Sequence, residues 1–278
     1  TETSGAGRTW SALTASAASM ALDLGDLDGV DVAATGVTLV MSATEAGEPV
    51  IDWMTSQSNG LSTGFSFGSR TGAFFDVELQ AVITLFDFIR IDGSFSFAKE
   101  TIRLEMNDGL KNDFDVIRFG ASDVDAFAGV LPIDDQDTGK GLDLRGMSFA
   151  LTIAQKTESP DSGLWVAVQG MVTSATLVGF DGLTAGSPLS NIEVNINVAP
   201  EGQQAINYFE TPISVGTVTP LVIDYASSAG SFIEVAADAQ LNVQEFAHVS
   251  GRFALRLANG VSAEVAGNAT SVSGVILS

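Results

Sequence analysis

Apolar and polar residues alternate with a period of two along most of this chain. From Phe75 to Leu85 the apolar positions Phe75, Val77, Leu79, Ala81, Ile83 and Leu85 are separated by Asp76, Glu78, Gln80, Val82 and Thr84. An extended strand with that pattern has one oily face and one wet face. The rhythm returns in Phe95 and Phe97, in Ile102, Leu104 and Met106, in Ile192, Val194, Ile196 and Val198, and in Leu241 and Val243. Between these runs stand Asn59-Gly60, Asp92-Gly93, Asp108-Gly109, Asp181-Gly182 and Asn259-Gly260, pairs that tolerate positive φ and so predict hairpin turns. The alanine-rich stretch Ser11 to Leu24 reads as a helix in isolation.

That ambiguity is resolved by internal repetition. At an offset of 158 residues, Phe74 to Phe97 lies over Phe232 to Leu255, with Val77 on Val235, Ile83 on Leu241, Phe88 on Phe246 and Ile91 on Val249. At an offset of 155, Trp10-Ser11-Ala12-Leu13 lies over Trp165-Val166-Ala167-Val168, and Val37 falls on Ile192. Val168, Val172, Leu177 and Val178, in the segment matching Ser11 to Leu24, favour a strand, so both copies are assigned strands. A duplicated unit of about 155 residues divides the chain into 1–157 and 158–278. The first copy lacks a counterpart to Met147–Leu151, and the second stops at the equivalent of Val116-Ile117; the expectation is a slice of a longer tandem array. Gln155 to Gly163 is the candidate boundary, or a hairpin loop.

The expected class is therefore all-β: antiparallel strands in two tandem repeats, arranged as sandwich-like modules or as elongated stacked sheets. Twenty-nine glycines, seven prolines and seventeen phenylalanines suit a chain with many turns and a Phe-rich core. With 45% apolar and 17% charged residues the sequence is too hydrophobic for a disordered polymer. Its apolar runs fall well short of the ~20 residues of a spanning helix, and the expectation is no membrane insertion. A formal charge of -22 makes nucleic acid an improbable partner, because phosphate backbones demand a positive footprint.

Candidate chemistry is sparse. Cysteine is absent, which removes disulfides and thiolate sites. The single histidine, His248, corresponds to Arg90 in the other copy, and such an exchange describes an exposed strand face. Gly64-Phe65-Ser66-Phe67-Gly68 fits the G-x-S-x-G pattern of α/β-hydrolases, but no parallel sheet is in prospect to carry a nucleophile elbow, and a short strand between glycines is the simpler reading. Two carboxylate groups stand out: Asp23, Asp26, Asp28 and Asp31, and Asp134, Asp135 and Asp137. Hard cations take several oxygens from one flexible loop, so these seven are the candidate Ca²⁺ ligands, with solvated acidic turns as the competing reading. Neither group has EF-hand spacing, and only Asp181 repeats in the second copy. Trp10 and Trp165 are read as core anchors in preference to sugar-stacking platforms. Asn268-Ala269-Thr270 is a glycosylation tripeptide without further context.

Phe149-Ala150-Leu151, Trp165-Val166-Ala167-Val168, Leu177-Val178-Gly179-Phe180-Asp181-Gly182-Leu183 and Val194-Asn195-Ile196-Asn197 together resemble the long repeats of giant secreted bacterial surface proteins of the adhesin-like, RTX-associated kind. The glycine-aspartate nonapeptides of RTX calcium rolls are missing. What the resemblance implies is an extracellular spacer or adhesive array, not an enzyme, with neighbouring repeats or copies of itself as partners. A self-assembling filament subunit completed by strand exchange is the alternative, as is a module binding a surface glycan or protein.

Overall fold

The computed structural model describes residues 10–22, 30–44, 73–85, 88–130, 139–159, 162–178, 189–216, 220–225, 230–243, 247–265 and 268–277. These are almost entirely strand. In chain order they form β1 (Trp10–Leu22), β2 (Val30–Thr44), β3 (Phe74–Leu85), β4 (Ile89–Glu105), β5 (Lys111–Val130), β6 (Lys140–Lys156), β7 (Trp165–Val178) and β8 (Leu189–Val198). The short β9 (Ile213–Val215) and β10 (Leu221–Ile223) follow, then β11 (Ser231–Val243), β12 (Ala247–Val265) and β13 (Asn268–Leu277). Eleven of them make one antiparallel sheet in the order β1-β2-β3-β4-β5-β6-β7-β8-β11-β12-β13, while β9 and β10 pair only with each other. The all-β, antiparallel class read from the alternation is thus what the chain adopts. The large element is a single continuous meander rather than two sheets of equal size, and the stretch between Lys156 and Trp165 is the β6–β7 hairpin connection.

The excursion between β8 and β11 folds back over the middle of the sheet and carries β9 and β10 with it. Beneath it lie Leu104 of β4 and Met106 just past its end, Phe114 and Val116 of β5, Ala150 and Ala154 of β6 and Trp165 and Ala167 of β7, all at most 2% exposed. Ile206, Tyr208, Ile213, Val215 and Ile223 close the core from above. Trp165 stands edge-on to Phe114, with ring centroids 5.2 Å apart, and its Nε1–H donates to the Gln204 carbonyl at 2.8 Å. The buried Asn197 amide donates to the Ile206 carbonyl at 3.2 Å, so the polar atoms that the excursion covers are tied to its own backbone. Arg118 reaches from β5 to the Ser214 carbonyl at 2.8 Å and pairs with Glu100 beside it.

Away from this core, the sheet turns its oily side the other way. On β4, Phe95 and Phe97 project opposite to Ile102, Leu104 and Met106, and the strand runs between them without a bulge. Several other strands keep their apolar residues on that opposite side only because a left-handed residue interrupts them. In β2 the apolar positions are even up to Ala34 and odd from Val37, and Gly36 at φ +59° separates them. Asp123 at φ +51° does the same between Ala121 and Ala126 of β5, and Gly146 at φ +59° between Leu144 and Met147 of β6. Asn191 at φ +48° falls between Leu189 and Ile192 of β8. Asp and Asn are among the few non-glycine residues that enter this region at modest cost. Register shifts accompany Gly36 and Asp123 and recur between Ala236 and Asp238 and between Ala258 and Val261. From Gly36 to the Ala236–Asp238 shift the irregularities form a line across the sheet, whereas the Ala258–Val261 shift stands apart, near the start of β11.

The strand spans correct two turn assignments. Asp92-Gly93 lies inside β4, and Asn259-Gly260 lies inside β12 beside a register shift. Gly93 is needed there because a Cβ would come within 2.5 Å of Val124 Cγ2, where β5 bulges towards it. Asp108-Gly109 does form the β4–β5 turn, with the Asp108 carboxylate accepting from Leu110 N at 3.0 Å. Asn59-Gly60 and Asp181-Gly182 lie outside the described residues.

Candidate functional site

The residues singled out by their chemistry do not assemble. Asp31 is exposed near the start of β2, opposite Thr84 of β3. Asp23, Asp26, Asp28, Asp134, Asp135 and Asp137 lie outside the described residues, as does Gly64–Gly68. Among the described residues no group of three or more His, Cys, Asp or Glu is placed to hold a metal ion. His248 sits on β12 opposite Asn242, and Arg90 is an exposed residue of β4 paired with Asp92 at 3.5 Å. Trp165 is fully buried. Trp10 begins β1, as Trp165 begins β7.

Two surfaces have a definite shape instead. The first is the apolar side of the sheet, against which no described element packs. On that side Ala34, Ala81, Ala121 and Val124, which flank the irregular line, are at most 4% exposed. Directly opposed residues continue a row of small side chains from strand to strand: Ala34 faces Ala81, and Ala81 faces Gly93.

The apolar side is aromatic near its centre. Phe75 and Phe97 meet edge to face at 6.1 Å, Phe95 and Phe119 stack at 6.4 Å, and Phe119 and Phe149 lie 5.6 Å apart. Towards β11 and β12 the same side is open, with Val235, Leu255 and Phe253 more than 40% exposed. Beyond Phe97 the same side becomes charged. Lys99 and Arg103 follow on β4, and Asp115 and Asp113 on β5; Arg103 stands directly opposite Asp113. The rim thus carries both signs. One bend in the line is held electrostatically: the Asp125 carboxylate accepts the Gly146 N–H at 3.0 Å and pairs with Arg145 at 2.9 Å, which together keep its pKa below the usual carboxylate value.

The second surface is a cleft of about 290 Å³ on the polar side, where β9 and its following turn approach the sheet. Thr38, Glu78, Gln80, Ser94, Ser96 and Ser122 supply its polar lining. Gly120 permits the approach, since a Cβ there would stand 2.8 Å from Val215 Cγ1. The cleft offers hydroxyl and amide hydrogen bonds and one carboxylate, Glu78, which stands directly opposite Ser96 on the neighbouring strand.

Sequence reasoning did not anticipate that these strands keep one side apolar through an irregularity, although the signal is in the chain: a change of apolar parity at a glycine, asparagine or aspartate inside a strand. A scan of protein-family models, a search of curated proteins and a search of solved structures each returned no match for this chain. No helix among the described residues is long and apolar enough to cross a membrane, which carries no information about β-barrels.

Proposed function

We propose that this chain is a repeat segment of a large extracellular bacterial surface or matrix protein, in which it acts as an extended spacer. The observation that carries this reading is the strand order. A strictly sequential meander grows only at its edges, so each further repeat lengthens the sheet without rearranging what is already there. The duplicated sequence, an acidic composition that resists association and the lack of a catalytic constellation among the described residues all favour a mechanical role. The partners of such a segment are neighbouring repeats. Calcium at the aspartate-rich turns belongs to the same proposal as an accessory.

The test is to join two copies of the 278-residue chain end to end and compare single and double chains by small-angle X-ray scattering. A maximum dimension that grows nearly in proportion to length is expected. A double chain that folds back to the dimension of the single one would sink the spacer. The filament alternative draws on β1 and β13, the edge strands of the eleven-stranded sheet, whose free edges could pair between molecules. Sedimentation of the single chain over a wide concentration range separates them, because only the filament polymerises.

A further inference from the structure

We propose that the cleft under β9 is a binding site for a neutral sugar of monosaccharide size. The strands that floor it place their polar side chains in register. Thr38 stands opposite Glu78 and Glu78 opposite Ser96; two residues along, Gln80 stands opposite Ser94 and Ser94 opposite Ser122. Over this floor β9 and the start of β10 bring Val215 and Leu221, so the cleft has a polar base and an oily wall. A Cβ at Gly120 would stand 2.7 Å from Ser96 Oγ, so glycine keeps that hydroxyl clear on the β5 side.

The chemistry of the lining selects the occupant. At about 290 Å³ the cleft lies near the lower end of the ~300–1,000 Å³ spanned by small-molecule pockets, which suits one small ring. Its hydroxyls and the Gln80 amide both donate and accept. A sugar hydroxyl does the same, whereas an ammonium only donates and leaves the protons of the lining without acceptors. An apolar ligand would strip water from the floor without replacing its hydrogen bonds. Anions are repelled by Glu78 and by a formal charge of -22. The C–H face of a sugar ring matches Val215 and Leu221, which ask for no hydrogen bond.

The site also has an unmet donor at its edge. A second cleft of about 170 Å³ shares Glu78, Ser96, Val215 and Gly216 with the first and is lined by Arg118 as well. Two nitrogens of that guanidinium are engaged, one by the Ser214 carbonyl and the other by Glu100, which neutralises its charge. Its Nε–H is buried and has no hydrogen-bond partner among the described residues. A buried donor left so costs free energy, and a sugar hydroxyl reaching the adjoining cleft is an acceptor for it. This proposal is independent of the spacer reading, since a spacer needs no ligand.

The experiment titrates the full chain with D-glucose, D-galactose, D-mannose and N-acetyl-D-glucosamine, each followed by saturation-transfer NMR. Saturable binding of at least one sugar is expected. Its affinity should fall at least fivefold in Gln80→Leu, which removes the amide, and in Ser94→Leu, which fills the cleft. Gln80 is exposed, so its variant should fold even if Ser94→Leu does not, and circular dichroism checks both. Gln203→Leu, the same exchange at an exposed position outside both clefts, should bind as the parent does. Binding of none of the four sugars by the parent would overturn the proposal. So would sugar binding that Gln80→Leu leaves unchanged or that Gln203→Leu weakens equally, and so would tighter binding of n-butylammonium than of every sugar. Any of these failures leaves the scattering test of the spacer unaffected.

Discussion

Raising the pH should unfold this protein through its tyrosines, and the effect can be isolated because there are only two. Tyr208 is completely buried in the excursion, with its hydroxyl 3.2 Å from Thr152 Oγ1 and its ring edge-on to Tyr225 at 6.3 Å. Burial penalises the phenolate and pushes the Tyr208 pKa up to about 12, with the Thr152 hydrogen bond pulling weakly the other way. Burial raises Tyr225 as well, although its hydroxyl donates to the Val168 carbonyl. The unfolded chain ionises near the ordinary tyrosine value of about 10. Below that pH both states hold the proton and the contribution of Tyr208 to stability is complete. Above it the unfolded state sheds protons that the native state keeps, and stability falls by about 2 kcal/mol from this residue as the pH rises to about 12. Tyrosinate difference absorbance at pH ~10.5 should find few ionised tyrosines in the native chain and about three quarters ionised in denaturant. Urea titrations across this range should show a shallower loss for Tyr208→Phe, which removes the titrating group and leaves lysine effects in place. Native-like circular dichroism with both tyrosines ionised at pH ~10.5 would refute the burial argument.

Trp165→Ala empties the centre of the core and should cost about 3–5 kcal/mol in urea unfolding; a loss under about 1 kcal/mol would mean that the excursion does not press on the sheet as described. Arg118→Ala leaves Glu100 half-desolvated without its partner and should cost about 3 kcal/mol, while Arg118→Met with Glu100→Gln should recover much of that loss. Gly36→Ala and Gly93→Ala separate two uses of glycine. The first position is left-handed in open space and should cost about 1–2 kcal/mol. The second meets the Val124 backbone at 2.9 Å and should lower the melting temperature further, because backbone cannot step aside.

The strands were legible because alternation is a direct record of which side of a pleated ribbon is dry. The repeat carried this further, turning Ser11–Leu24 from an alanine-rich helix candidate into part of a strand through its valine-bearing counterpart, and β1 and β7 are what the structure has there. What alternation alone does not specify is the meaning of a parity change. In β4 the shift from Phe95 and Phe97 to Ile102 and Leu104 marks a strand that is dry on one side near one end and on the opposite side near the other. In β2, β5 and β6 the same kind of shift marks a bulge that keeps one side dry throughout. The two differ by a single left-handed residue. Asp92-Gly93 misled for a related reason: glycine was required by a neighbour's approach rather than by a turn. The continuous apolar side was the least legible feature, because it depends on how irregularities in several strands line up, and no single segment records that.

The sequential strand order also governs how the chain can reach this structure. From β1 to β8 every strand pairs with the one made just before it, so the contacts that close are short in sequence, and such topologies fold faster than ones built on distant pairings. Folding can keep pace with the chain as it emerges, hairpin by hairpin, with little exposed strand waiting for a partner. A further step is needed at the junction of β8 and β11, where the segment carrying Ile206, Tyr208 and Ile213 must settle over Trp165 and Phe114 before the meander resumes. That junction is the expected kinetic pause, and a chain stopped there would display the open edge of β8.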